Sequence, residues 1–299
     1  MVLADYYIEK SLGIDSQGET LRAIAFKDYS SVTLKILHFE TYDGPLLNFD
    51  QEISIVYSIP SSIYIVQILD LDIYMDLLLR CWTFLIFEAM DMDLKEFIRL
   101  GQQLNAKRIK SFLYQLCMGV SYIHSHSIIH RDLKPRNIWV NKSKGVVKIE
   151  GFGFAQRDRT PQEERVFPEA GLSWYRAPEV LLHGPYSTPC DMWSLGCIFG
   201  EMVVRKPLFG EYSQIEQLHE IFQLVGTPDE DAWPDLLTYE GWHQFPQWRG
   251  RDLSLTFPTL EPDGLDLLSK MLQVNPTTRI SARDALDHPY FDSLDKFQY

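Results

Sequence analysis

The sequence predicts an α+β chain in two lobes, and three observations carry that reading. Runs of β-branched, aromatic and leucine residues at strand length crowd the first 90 residues. From there on, apolar residues recur at steps of three and four over long stretches, as amphipathic helices require. The change of pattern falls within residues 90–93, which divides the chain into a β-rich lobe, residues 1–90, and a mostly helical lobe, residues 91–299.

In chain order, "SVTLKIL" from Ser31 is the first clear strand. "LLNFDQEISIVYSIP" from Leu46 predicts a helix with Phe49, Glu52, Ile53 and Val56 on one face, ended by Pro60. A carboxylate on a packing face needs a cation or donors, unless it lies at the edge of the stripe and reaches water. "WTFLIFE" from Trp82 is a second strand. After Asn105, residues Ile109, Phe112, Leu113, Leu116, Cys117, Val120 and Ile123 mark one face of a long helix. In "GVVKIEGFGFAQ", residues 145–156, Val146, Val147 and Ile149 read as a strand and the glycines as the turn after it. "DMWSLGCIFGEMV" from Asp191 is apolar enough to be a helix buried all round, and Pro178, Pro185, Pro189 and "GTPDEDAWP" punctuate loops.

Composition narrows the function classes. The net charge is -13, from 41 acidic against 28 basic side chains, and the basic residues are scattered. That argues against nucleic acid or an anionic membrane as partner, since both need clustered Lys and Arg. Cys81, Cys117, Cys190 and Cys197 lack metal-ligand spacing and read as buried reduced thiols, which suits an intracellular protein of the cytoplasm or nucleus. Asp5 and Glu9 interrupt the N-terminus where a signal peptide needs an apolar core, and Asp70, Asp72, Asp76 and Arg80 interrupt the most apolar region.

The chemistry concentrates in "IIHRDLKPRN", residues 128–137, which sets Asp132, Lys134 and Asn137 in one tight loop after a helix. Phosphoryl transfer asks for that set: a carboxylate to take a hydroxyl proton, a cation for the γ-phosphate and an amide oxygen for Mg²⁺. The segment resembles the protein-kinase catalytic loop over its whole length, and "WYRAPE" and "DMWSLGCI" follow in the expected order. The chain as a whole resembles a protein kinase of the cyclin-dependent branch, most closely over residues 121–291.

That resemblance implies a bilobal protein kinase fold using ATP and Mg²⁺ on protein substrates. It makes Asp132 the base, Lys134 the γ-phosphate contact and Asn137 a metal ligand. Lys35 would hold the α- and β-phosphates and pair with Glu52, which answers the need of the first helix for a cation. Phe87 falls at the gatekeeper position, Glu88 and Met90 in the adenine-binding hinge, and Gly13 and Gly18 at the outer positions of the glycine-rich loop. Glu179 should pair with Arg279, and Asp191 should brace the catalytic loop.

The departures cluster around the nucleotide. Asp15 replaces the middle glycine of the loop and Thr20 the valine that covers adenine, so nucleotide affinity should fall unless Mg²⁺ is shared with Asp15. Gly151 stands at the metal-binding aspartate, a loss worth several kcal/mol and roughly a thousandfold in rate. Glu150 is adjacent, but strand alternation aims it at the opposite face. The phosphorylated threonine falls on Phe167, and two of its three arginine partners fall on Gln51 and Gln156, leaving Arg131. Leu172 replaces a threonine that contacts the catalytic pair, whereas Gly171 keeps Ser/Thr-Pro substrate geometry open.

"GPLLNFDQE", residues 44–52, keeps Pro45 and Glu52 of the cyclin-contacting signature and little between, which argues against standard cyclin binding. Leu46, Leu47 and Phe49 suit either packing within the lobe or a different partner. Two functions follow. One is a pseudokinase with lost or very weak phosphotransfer that acts by binding a protein partner; the other is an active Ser/Thr kinase with reduced metal dependence. The ordered set of motifs argues against a third, a soluble domain unrelated to kinases.

Overall fold

The computed structural model describes residues 2–14, 18–39, 46–75, 81–101, 104–158, 174–210 and 213–296. In the N-terminal lobe β1 (Tyr6–Ile14), β2 (Gly18–Ala25), β3 (Ser31–Phe39), β4 (Ile68–Met75) and β5 (Cys81–Glu88) form one antiparallel sheet in the order β1-β2-β3-β5-β4. Helix α1 (Leu46–Ser58) crosses between β3 and β4.

The period of two in β3 decides what faces the second lobe. Val32 and Leu34 pack with Leu21, Ala23, Phe84 and Ile86 on one side of the sheet. Thr33, Lys35 and Leu37 take the other side, where the register sets Thr33 opposite Phe87 and Lys35 opposite Leu85 and Thr20. One strand thus supplies both a hydrophobic layer and a polar row above the cleft.

The predicted face of α1 is turned. Glu52 and Ile55 are buried, with Ile59 just beyond the helix, while Ile53 and Val56 are half-buried. Ile55 and Ile59 join the core of the second lobe, so the helix packs downward onto the turn at Phe152–Phe154 rather than only onto its own sheet. The side chains of Leu46, Leu47 and Phe49 lie outside the described residues.

The second lobe is built on α2 (Leu94–Leu100), α3 (Ala106–Ser125), α4 (Pro178–Leu181), α5 (Pro189–Val204), α6 (Gln214–Val225), α7 (Leu253–Thr256), α8 (Pro262–Met271) and α9 (Ala282–Leu286). Asn105 caps α3 by accepting the Arg108 N–H at 2.9 Å, and every apolar residue read onto its inner face is buried. Helix α5 is buried around nearly its whole circumference, as its composition predicts.

Short strands β6 (Met92–Asp93), β7 (Ile128–Ile129), β8 (Ile138–Asn141), β9 (Val146–Ile149) and β10 (Gln156–Arg157) frame the loops between the lobes, pairing as β6-β8-β9 and β7-β10. Cys117, Cys190 and Cys197 are buried free thiols whose pKa burial pushes up. Among the described residues no helix is long and apolar enough to cross a membrane.

Two braces fix the second lobe. Arg279 Nη1 and Nη2 meet Glu179 Oε1 and Oε2 at 2.7 and 2.8 Å, with both side chains essentially inaccessible. The other Arg279 donors reach the carbonyls of Gln273, Pro189 and Val274. Asp191, at the start of α5, accepts the backbone N–H groups of His130 at 2.8 Å and Arg131 at 2.9 Å, and lies 2.8 Å from His124 Nε2. Burial alone would raise the Asp191 pKa, but His124 and the His130 N–H hold it below the ordinary carboxylate value. The loop bearing Asp132 is therefore pinned at its root by a buried carboxylate.

Candidate active site

The cleft between the lobes is lined from above by Leu12, Gly13, Thr20, Thr33 and Lys35 and from below by Arg136, Asn137, Trp139 and Glu150, with Phe87, Glu88 and Met90 along its back. β8 explains the floor: Ile138 and Val140 point into the core, so Trp139 between them turns to the cleft. Gly18 lies against the Ile36 carbonyl so closely that any side chain would collide with β3.

Asp132, Lys134 and Asn137 are brought together. Lys134 Nζ lies 2.7 Å from Asp132 Oδ2, and Asn137 Nδ2 donates to Asp132 O at 2.7 Å and Oδ2 at 2.9 Å. A single turn of 3-10 helix, Pro135–Asn137, returns the asparagine to the aspartate. His130 is wholly buried, and burial pushes its pKa down against the pull of Asp191 and Asp132. Its Nδ1 accepts the Asp132 N–H at 3.3 Å and its Nε2 lies 3.1 Å from Glu150 O, which fits the neutral ring protonated at Nε2.

Lys35 and Glu52 are buried to similar depth, 5% and 4% exposed, both beneath the sheet. Glu52 Oε1 accepts the Phe152 N–H at 3.1 Å, which ties α1 to the turn after β9. Lys35 Nζ lies 3.4 Å from Glu150 Oε1.

That last contact corrects the expectation that Glu150 faces away. Alternation holds only to Ile149, where β9 ends. Gly151 then adopts φ 86° and ψ 51°, so residue 150 is already in a turn and its side chain enters the cleft. Where a Cβ on Gly151 would lie, Asn137 Cγ is 2.7 Å away: the asparagine occupies the space a side chain would take. Among the described residues no three His, Cys, Asp or Glu side chains gather as a metal-holding group.

At the back of the cleft, Glu88 turns its side chain to Lys148 Nζ, at 2.6 and 2.7 Å, and accepts the Gln67 N–H at 2.9 Å. The Met90 N–H donates to Thr33 Oγ1 at 3.4 Å. Sequence reasoning missed Thr33 and Trp139, although the period of two in β3 and β8 would have aimed both inward.

Arg131 donates from Nη1 to Gln156 Oε1 and stacks over Tyr186 at 4.3 Å from the ring centroid. The glutamine that stands where a phosphate-gripping arginine was expected thus holds the arginine that remains. Asp15, Pro45, Phe167, Gly171, Leu172 and the side chain of Gln51 lie outside the described residues.

Comparison with known proteins adds to this geometry. The family model for the protein kinase domain matches residues 6–291. Cyclin-dependent kinase B1-1 of Arabidopsis thaliana is 46% identical over 263 residues, 83% of this chain and 84% of that protein. Cell division control protein 2 homolog C of Antirrhinum majus is 42% identical over 300 residues, 97% of this chain and 98% of that protein. Cyclin-dependent kinase B2-2 of Arabidopsis thaliana is 42% identical over 249 residues, 82% of this chain and 79% of that protein.

Proposed function

Because this chain belongs to the protein kinase family, with cyclin-dependent kinases among its relatives, we propose that it is a pseudokinase with lost or very weak phosphotransfer that acts by binding a protein partner. The observation that carries the reading is Gly151, at the turn where the family places its metal-binding aspartate, with Asn137 in the space a side chain would need. The family generally uses ATP and Mg²⁺, and Mg²⁺ wants several oxygen ligands in near-octahedral array. The cleft makes a poor match: Gly151 offers no carboxylate, Glu150 is engaged by Lys35, and Asn137, whose amide nitrogen is held by Asp132, is left to offer a single amide oxygen. Without that cation, developing charge on a transferring phosphoryl group has little to offset it.

The partner is read as a protein because the cleft alone gives the chain little chemistry while the scaffold beneath it is kept. The names of the relatives record dependence on cyclin. The cyclin-contacting signature is worn in "GPLLNFDQE", so the partner is one that does not rely on it.

The second reading, an active Ser/Thr kinase, is favoured by the assembly of Asp132 as base, Lys134 beside it and Asn137 as remaining metal ligand, with Lys35 above. Single-turnover transfer from γ-labelled ATP to a Ser-Pro peptide and to the chain itself separates the two. The pseudokinase reading expects the native chain to match Asp132→Asn. Transfer that disappears in Asp132→Asn would establish an enzyme.

A further inference from the structure

We propose that the cleft takes a flat heteroaromatic ligand that carries no phosphate, such as a nucleoside, and that Glu150 sets this preference. The inference rests on reading the cleft as a former nucleotide site and goes beyond it by naming the class of ligand that remains. At the deep end the Lys35 and Glu150 side chains are 6% and 11% exposed and 3.4 Å apart. A phosphate chain entering there meets a lysine whose charge is already compensated, and a carboxylate on the same side. In surroundings that exclude water, like charges a few Å apart weaken binding at least about tenfold.

The part of the cleft against Met90 has the opposite character. Trp139 forms its floor and Val66 and Thr33 part of its walls, a slot suited to a planar ring. Among the described residues the Met90 N–H at the back meets Thr33 Oγ1 at 3.4 Å, long enough for a ring nitrogen to displace at little cost. A ring is therefore welcomed where a triphosphate is refused.

Calorimetric titration of the native chain with adenosine, with ATP and with ATP plus Mg²⁺ tests this, repeated on Glu150→Gln. Adenosine should bind the native chain at least about tenfold more tightly than either form of ATP, and Glu150→Gln should shrink that ratio at least about tenfold. The ratio in the native chain is decisive by itself should the variant unfold. Tighter binding of ATP than of adenosine, failure of both to bind, or a ratio unmoved by Glu150→Gln overturns the inference. So does Mg²⁺-dependent ATP binding that Glu150→Gln abolishes, which would make Glu150 a cation ligand. Tight binding of ATP with Mg²⁺ but no phosphate transfer sinks this inference alone; with transfer it sinks the pseudokinase reading too.

Discussion

Two buried ion pairs in this chain differ in a way that separates scaffold from site. Arg279 meets Glu179 through two parallel contacts, and its other donors end on backbone carbonyls in a region closed to solvent. Lys35 meets Glu150 through one 3.4 Å contact at the wall of an open cleft. The first arrangement satisfies its charges so fully that nothing else can compete for them. The second is a single long contact that lines a cleft, where a ligand can meet both of its charges.

The largest expected effect breaks the first pair. Arg279→Met strands a buried carboxylate and should cost about 3–5 kcal/mol in urea unfolding. Glu150→Gln should cost about 1 kcal/mol or less, since one long contact is weakened and the amide keeps an oxygen that Lys35 can approach. Equal losses from the two would erase the distinction.

Gly151→Asp should come next. It forces an L side chain to φ 86° and against Asn137, for about 1–3 kcal/mol lost in thermal unfolding. Asn137→Gly in the same chain should return part of that loss, and strict additivity of the two changes would mean that they do not meet. On the pseudokinase reading, a gain of phosphate transfer requires Asn137 to move as well as a carboxylate to arrive.

The smallest effect is a pH dependence. His130 is buried with its pKa below 6.5, so its contribution to stability is fully present above pH 6.5 and is lost as pH falls through the lowered value. Asp191, held below 3.8, acts with the same sign in a more acidic window. Stability should decline as pH falls from 6.5 through the lowered His130 value, and His130→Asn should flatten that slope. A slope unchanged in the variant would place the titrating group elsewhere.

Much of this was legible in the sequence. The spacing of Ile109 through Ile123 gave α3, and the catalytic-loop and "WYRAPE" resemblances led to Asp132, Lys134, Asn137 and the Glu179 to Arg279 pair. What escaped lay where a local rule stops. Alternation aims Glu150 outward only if β9 continues, and it ends one residue earlier. The face of α1 is set by the turn beneath it, which draws in Ile55 as well as Glu52, and no periodicity within the helix records that neighbour. Asn137 filling the space beside Gly151 is likewise a contact between distant segments.

If Gly151 leaves the cleft without a metal site, as proposed, the affinity of the native chain for ATP with and without Mg²⁺ reports it most directly. Mg²⁺ should then change the Kd for ATP by less than about twofold. Mg²⁺ that tightened ATP binding about tenfold or more would mean that Asn137, with Glu150 or another oxygen, still builds the metal site, and would contradict the proposal.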